Sequence, residues 1–147
     1  MLPLRTMAST CDLMKSVWIV DDDEDYRQLV TLALQDHCGV PAVQAFHDGD
    51  SALRQALQAG SDLPSLVLLD LHMPRISGLE VLRQLRTHRP ELPVAILSNA
   101  ASDDEMHRCL AEKPLALLRK PLGFHALVAT LRSLLDGAAE PTTAPSA

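Results

Sequence analysis

The chain has 147 residues, enough for one domain, with 47% hydrophobic and 22% charged residues, the balance of a chain that buries a core. A formal net charge of -6 argues against direct nucleic-acid binding, which needs a basic face. No apolar run approaches the roughly 20 residues of a membrane span, and Met1 to Lys15 shows neither a sustained apolar stretch nor a cleavage site, so neither a membrane partner nor a secretion signal is read.

Residues 1–15 lack periodicity and are expected to be a flexible N-terminal extension. The first ordered segment is Val17-Trp18-Ile19-Val20, a short strand that ends in Asp21-Asp22-Asp23. Tyr26, Leu29, Val30, Ala33 and His37 then fall at helical spacing, with Gly39 placed as a C-cap. A second apolar run covers 41–46. Asp48 follows as the N-cap of a helix carrying Ala52, Leu53, Ala56 and Leu57, with Gly60 at its end. A third run, Leu66-Val67-Leu68-Leu69, ends in Asp70. Ser77-Gly78-Leu79-Glu80 fits a capping box ahead of Leu82 and Leu85. The fourth run, 93–97, ends in Ser98, and Ser102-Asp103-Asp104-Glu105 is a second capping box, followed by Met106, Cys109 and Leu110. The fifth run, 115–119, precedes Lys120-Pro121. Phe124, Leu127, Val128, Leu131, Leu134 and Leu135 form the longest stripe, with Gly137 as a C-cap. The expected organisation is a domain over 16–136 and a disordered Ala/Pro/Thr-rich tail over 137–147.

Few charges interrupt the five runs, so they read as strands buried on both faces. Strand–helix alternation repeated five times predicts an α/β fold, a doubly wound parallel sheet with helices on both faces. Cys11, Cys38 and Cys109 are odd in number and widely spaced, which fits neither a disulfide framework nor a metal knuckle. Cys38 and Cys109 read as small buried hydrophobes, and a reducing, cytoplasmic setting is expected.

Ligands of doubly wound sheets bind beyond the carboxyl ends of the strands. That edge would gather Asp21 and Asp22 from strand one, Asp70 from strand three, Ser98 from strand four and Lys120 from strand five. Clustered carboxylates repel unless a cation joins them. Magnesium suits such a site because it takes one or two carboxylates and keeps several waters. Asp70 could then attack phosphorus and form an acyl phosphate, with Lys120 on one phosphoryl oxygen and Ser98 donating to another. Taken singly, the acidic run is equally well explained as helix capping and charge at a helix N-terminus.

This ordered set resembles the response-regulator receiver domain of two-component signalling, over about residues 16–136. The resemblance implies a flavodoxin-like, CheY-like fold with strand order 2-1-3-4-5 and five helices. By position, Asp70 matches the phosphoacceptor, Ser98 the hydroxyl position and Lys120 the lysine. Asp22 matches the direct magnesium ligand, Asp21 a ligand through water, and the backbone carbonyl of His72 a further ligand. The Lys120–Pro121 bond is expected to be cis, as in the family. The phosphoryl group would come from a phosphohistidine on a sensor histidine kinase or histidine phosphotransfer protein, and the domain would catalyse its own phosphorylation and dephosphorylation.

Four residues at three places depart from the family pattern. Leu117 stands where the family often has a Tyr or Phe that swings inward on activation. Asn99 replaces a small residue, and Lys113-Pro114 replaces a common Gly-Ala pair. The His72 side chain reads as a solvated loop histidine, the sharper alternative being that it tunes water access to the acyl phosphate. His37, His47, His88, His107 and His125 show no ligand spacing, and Trp18 reads as core. The leading expectation is a single-domain response regulator signalling to an unknown downstream protein through helix four, strand five and helix five. No helix-turn-helix, cyclase or kinase sequence is read within these 147 residues, so direct transcriptional output from this chain alone is not expected. The rivals are a phosphorylation-independent interaction module, the receiver piece of a larger regulator or hybrid kinase, and a phosphatase of the haloacid dehalogenase type. The last expects an Asp two residues after the nucleophile, where this chain has His72.

Overall fold

Each apolar run forms a strand, and the segments between them coil into helices. The computed structural model describes residues 16–58, 60 and 62–139. The predicted N-terminal extension, with Cys11, and residues 140–147 of the predicted tail lie outside them. The elements in chain order are β1 (Ser16–Val20), α1 (Glu24–Leu32, closing in a π turn at Ala33–His37), β2 (Ala42–Phe46), α2 (Gly49–Gln58) and β3 (Leu66–Asp70). They continue with α3 (Gly78–His88), β4 (Val94–Ser98), α4 (Asp103–Ala111), β5 (Ala116–Arg119) and α5 (Phe124–Ala139). The strands form one parallel sheet in the order β2-β1-β3-β4-β5, the predicted doubly wound, flavodoxin-like arrangement.

Side chains alternate across a strand, so each central strand feeds two cores. Val17 and Ile19 of β1, Leu66 and Leu68 of β3 and Ala95 and Leu97 of β4 pack with Val30 and Leu34 of the first helical segment and Leu127, Leu131 and Leu135 of α5. Their neighbours Trp18, Val20, Val67, Leu69, Val94 and Ile96 pack on the other face with α2, α3 and Cys109 of α4. Burying each Val, Leu or Ile of these sets stabilises the fold by roughly 1.5–3 kcal/mol before chain entropy is counted. Only β1, β3 and β4 are sealed on both faces. The edge strands β2 and β5 are half open, which corrects the expectation of five strands buried on both faces. An edge strand has a neighbour on one side only.

The helix ends follow the sequence signals with two exceptions. Ser102 and Glu105 form a complete capping box, and Asp48 Oδ1 accepts from Ser51 N at 2.7 Å. Ser77 accepts from Glu80 N, but the Glu80 carboxylate takes Gln84 Nε2 instead of reaching back, so that box is half made. Gly39 (φ 73°) and Gly60 (φ 61°) are left-handed stops. Gly137 is not a stop: α5 runs through it to Ala139, because nothing beyond Leu135 forces the backbone out of the helix. Among the described residues no helix is long and apolar enough to cross a membrane.

Candidate phosphoryl-transfer site

Parallel register brings the strand ends together. Val20 lies beside Leu69, Asp70 beside Leu97, and Ser98 beside Arg119. The ladder continues one residue further at two places, with Asp21 N donating to Phe46 O (3.1 Å) and Lys120 N to Ser98 O (2.8 Å). Asp21, Asp70, Ser98 and Lys120 are therefore held at one edge by backbone hydrogen bonds, and all four are buried. Asp22 is exposed at the same edge.

Asp21, Asp22 and Asp70 each offer a carboxylate oxygen, and these oxygens lie within 4.8 Å of one another. Lys120 Nζ sits between two of the carboxylates, 2.7 Å from Asp21 Oδ2 and 3.4 Å from Asp70 Oδ1. Asp21 Oδ1 also accepts from Asp23 N at 2.9 Å, which fixes its rotamer. Burial, then the charge of Asp21, pushes the Asp70 carboxyl from 3.8 up to about 6, against the pull of Lys120. Burial alone would lower the Lys120 ammonium, but its hydrogen bond and charge contact with Asp21, then those with Asp70, raise it. One cation thus does not neutralise the cluster, and an all-oxygen donor set of this density suits a hard divalent ion such as magnesium.

The remaining predicted residues are placed less completely. The Ser98 hydroxyl points along its own loop and donates to Ala100 O at 3.0 Å. His72 lies two residues beyond β3, and its side chain bonds Glu105 Oε2 of α4 at 2.8 Å. The bond ties the loop after Asp70 to α4, an arrangement that neither sequence reading of His72 anticipated. The Lys120–Pro121 bond is trans, as no described peptide bond is cis, which corrects the expected cis linkage. Trans is the favoured state of X–Pro bonds by about 0.5–1 kcal/mol, and Lys120 reaches both carboxylates from it. The side chains of the other five histidines are exposed.

Three features escaped the sequence reading. Gly78 donates to Leu71 O at 2.8 Å, and a Cβ there would collide with the Asp70 carbonyl oxygen and stand 2.7 Å from Leu71 Cα. Arg75 adopts φ 68° and reaches Asp48 Oδ2 at 3.0 Å, pinning the loop after β3 to the α2 cap. Tyr26, read as part of a core stripe, lies with its ring under Lys120 Nζ. Of the departures, Leu117 is half-buried beside a notch of about 120 Å³ that Ser98, Met106 and Leu118 also line. Lys113 adopts the left-handed φ of 58° that a glycine takes without strain. Arg86 bonds the carbonyls of Glu112 and Lys113 there.

Comparison with known proteins is decisive on the family. The model of the response regulator receiver domain matches residues 17–132. The chain belongs to the response regulator receiver family. It is 32% identical over 125 residues to "Probable methanogenesis regulatory protein FilR2" of Methanothrix harundinacea, covering 82% of this chain and 81% of that protein. It is 35% identical over 119 residues to the response regulator MprA of Mycobacterium ulcerans, covering 81% of this chain but 49% of MprA. The chain thus spans about half the length of the MprA relatives it matches. Among solved structures, the phosphorylated cyanobacterial phytochrome response regulator RcpA superposes with a TM-score of 0.75 at 27% identity, covering 90% of this chain and 99% of that one. Receivers of this family work in two-component systems with histidine kinases or phosphotransfer proteins, and they bind a divalent metal in an acidic pocket.

Proposed function

We propose that this receiver accepts a phosphoryl group on Asp70 from a phosphohistidine of a sensor histidine kinase or histidine phosphotransfer protein. The single observation that carries the reading is the strand-end cluster: Asp21, Asp22 and Asp70 within 4.8 Å of one another, with Lys120 between two of them. Magnesium, held by Asp22 and Asp70, by Asp21 through water, and by the His72 backbone carbonyl, would screen the charge of an incoming phosphoryl group. Asp70 supplies the nucleophilic oxygen and forms the acyl phosphate. Lys120 gives one phosphoryl oxygen a positive partner. Ser98 gives up its bond to Ala100 O and donates to another oxygen, a step that moves the β4–α4 loop. Met106 and Leu110 on α4 and Leu118 on β5 are exposed apolar residues, and they support output to a protein target through the α4–β5–α5 face.

The test is the intact mass of the protein after incubation with magnesium and acetyl phosphate. One added phosphoryl group, dependent on magnesium and absent from Asp70→Asn, is the expected result. Unchanged uptake by Asp70→Asn overturns the reading. No uptake by the wild type from acetyl phosphate or from a phosphorylated histidine kinase favours the second reading, a phosphorylation-independent module, for which Leu117 in place of an aromatic is the supporting observation. Action as a single-domain regulator, as opposed to the receiver piece of a larger one, is tested by the mass of the natural gene product.

A further inference from the structure

Tyr26 is a polar residue beside this edge that the chemistry above leaves unused. It sits in the first turn of α1 and packs against the core between α1, α5 and the sheet. Its hydroxyl oxygen is buried and has no hydrogen-bond partner among the described residues. A hydroxyl left in that condition costs stability, so no hydrogen bond explains why a tyrosine ring stands here. The ring face explains it. Lys120 Nζ lies 4.4 Å from the ring centroid, within the range of a cation–π contact. Burial, then the charges of Asp21 and Asp70, keeps the phenol protonated well above neutral pH, so the ring faces the ammonium as a neutral aromatic.

The ammonium needs such a wall. It lies on a flexible four-carbon stem between two carboxylates at unequal distances, 2.7 Å and 3.4 Å. We propose that Tyr26 is a positioning residue for phosphoryl transfer, the face of its ring seating the Lys120 ammonium between Asp21 and Asp70. This rests on Asp70 being the phosphoacceptor and adds a residue from α1 to the strand-end set. By fixing the ammonium before the phosphoryl group arrives, the ring spares the transition state part of the lysine's conformational entropy.

The test compares Tyr26→Phe, which keeps the ring face, with Tyr26→Leu, which keeps apolar bulk and loses the face. The rate of magnesium-dependent phosphoryl uptake from acetyl phosphate is measured for each in the wild-type and Lys120→Met backgrounds. Tyr26→Phe is expected within about twofold of wild type and Tyr26→Leu about three- to tenfold slower. In the Lys120→Met background Tyr26→Leu should add no further slowing, the non-additivity expected when one residue acts through the other. A wild-type rate for Tyr26→Leu, equal slowing in both backgrounds, or a Tyr26→Phe as slow as Tyr26→Leu overturns the proposal. A resting-state readout separates it from the phosphoacceptor reading. The Lys120 side-chain protons should be shifted upfield by the ring in wild type and Tyr26→Phe and not in Tyr26→Leu. Absence of that shift overturns the seat whatever the rates. The shift present in a wild type that takes up no phosphoryl group refutes the phosphoacceptor reading and with it the role in transfer, while the resting contact of the ring with the ammonium stands.

Discussion

Replacing Asp70 by Asn should make the metal-free protein more stable at neutral pH, although it removes the residue on which the function is proposed to rest. The carboxyl is pushed up to about 6 from 3.8, by burial first and by Asp21 next, and the attraction of Lys120 does not offset them. A carboxyl that holds its proton more tightly folded than unfolded makes stability fall as pH rises through the window from about 4 to about 6. A shift of about two units corresponds to roughly 3 kcal/mol at most, at about 1.4 kcal/mol per unit. Asn keeps the shape and removes the charge, so in chelator at pH 7.5 the variant should gain about 1–3 kcal/mol, or roughly 3–10 °C in Tm. At pH 4.5 the wild-type carboxyl is mostly protonated, and the gain should shrink towards zero. Added magnesium should reverse the order, since it stabilises whichever protein binds it and Asn is the poorer ligand. Unfolding can be followed through Trp18, the single tryptophan, buried in β1. A lower Tm for Asp70→Asn in chelator at pH 7.5, or a gain that does not change with pH, would refute the electrostatic reasoning.

Lys120→Met should cost about 2–4 kcal/mol in chelator, because it leaves two buried carboxylates without their cation, and magnesium should restore part of the loss; urea unfolding with and without the metal measures both. Gly78→Ala should cost roughly 2–4 kcal/mol, since a Cβ meets the backbone of Asp70 and Leu71 and no side-chain rotation relieves it. Its chemical-shift changes should centre on the loop after β3. Ser102→Ala breaks the complete capping box of α4 and should cost about 1 kcal/mol, read as faster amide exchange in the first turn of that helix.

The positions of Asp21, Asp22, Asp70, Ser98 and Lys120 were legible in the sequence because a strand that ends in a polar residue delivers it to the sheet edge. A parallel sheet then brings those ends together without further information. What stayed hidden depends on rotamers or on residues distant in the chain. Ser98 ends β4 at this edge, but its hydroxyl turns to Ala100 O, a choice made by the loop and not by the strand. The trans linkage at Pro121 corrects an expectation carried over from the family pattern. Tyr26 looked like core because helical spacing reports which face a side chain is on, not that a lysine 94 positions later will lie over its ring. Arg75 gave no sign of its left-handed backbone, since that conformation is normally announced by Gly or Asn. The openness of β2 and β5 followed from strand order, which periodicity within each run does not encode.

The most direct test of the central claim locates the phosphoryl group. The protein is phosphorylated in the presence of magnesium, reduced with borohydride, digested and sequenced by mass spectrometry, since an aspartyl phosphate is reduced to homoserine. The account predicts homoserine at position 70 and at no other aspartate. Homoserine at Asp21 or Asp22, or label stable to borohydride on a histidine or serine, would contradict it.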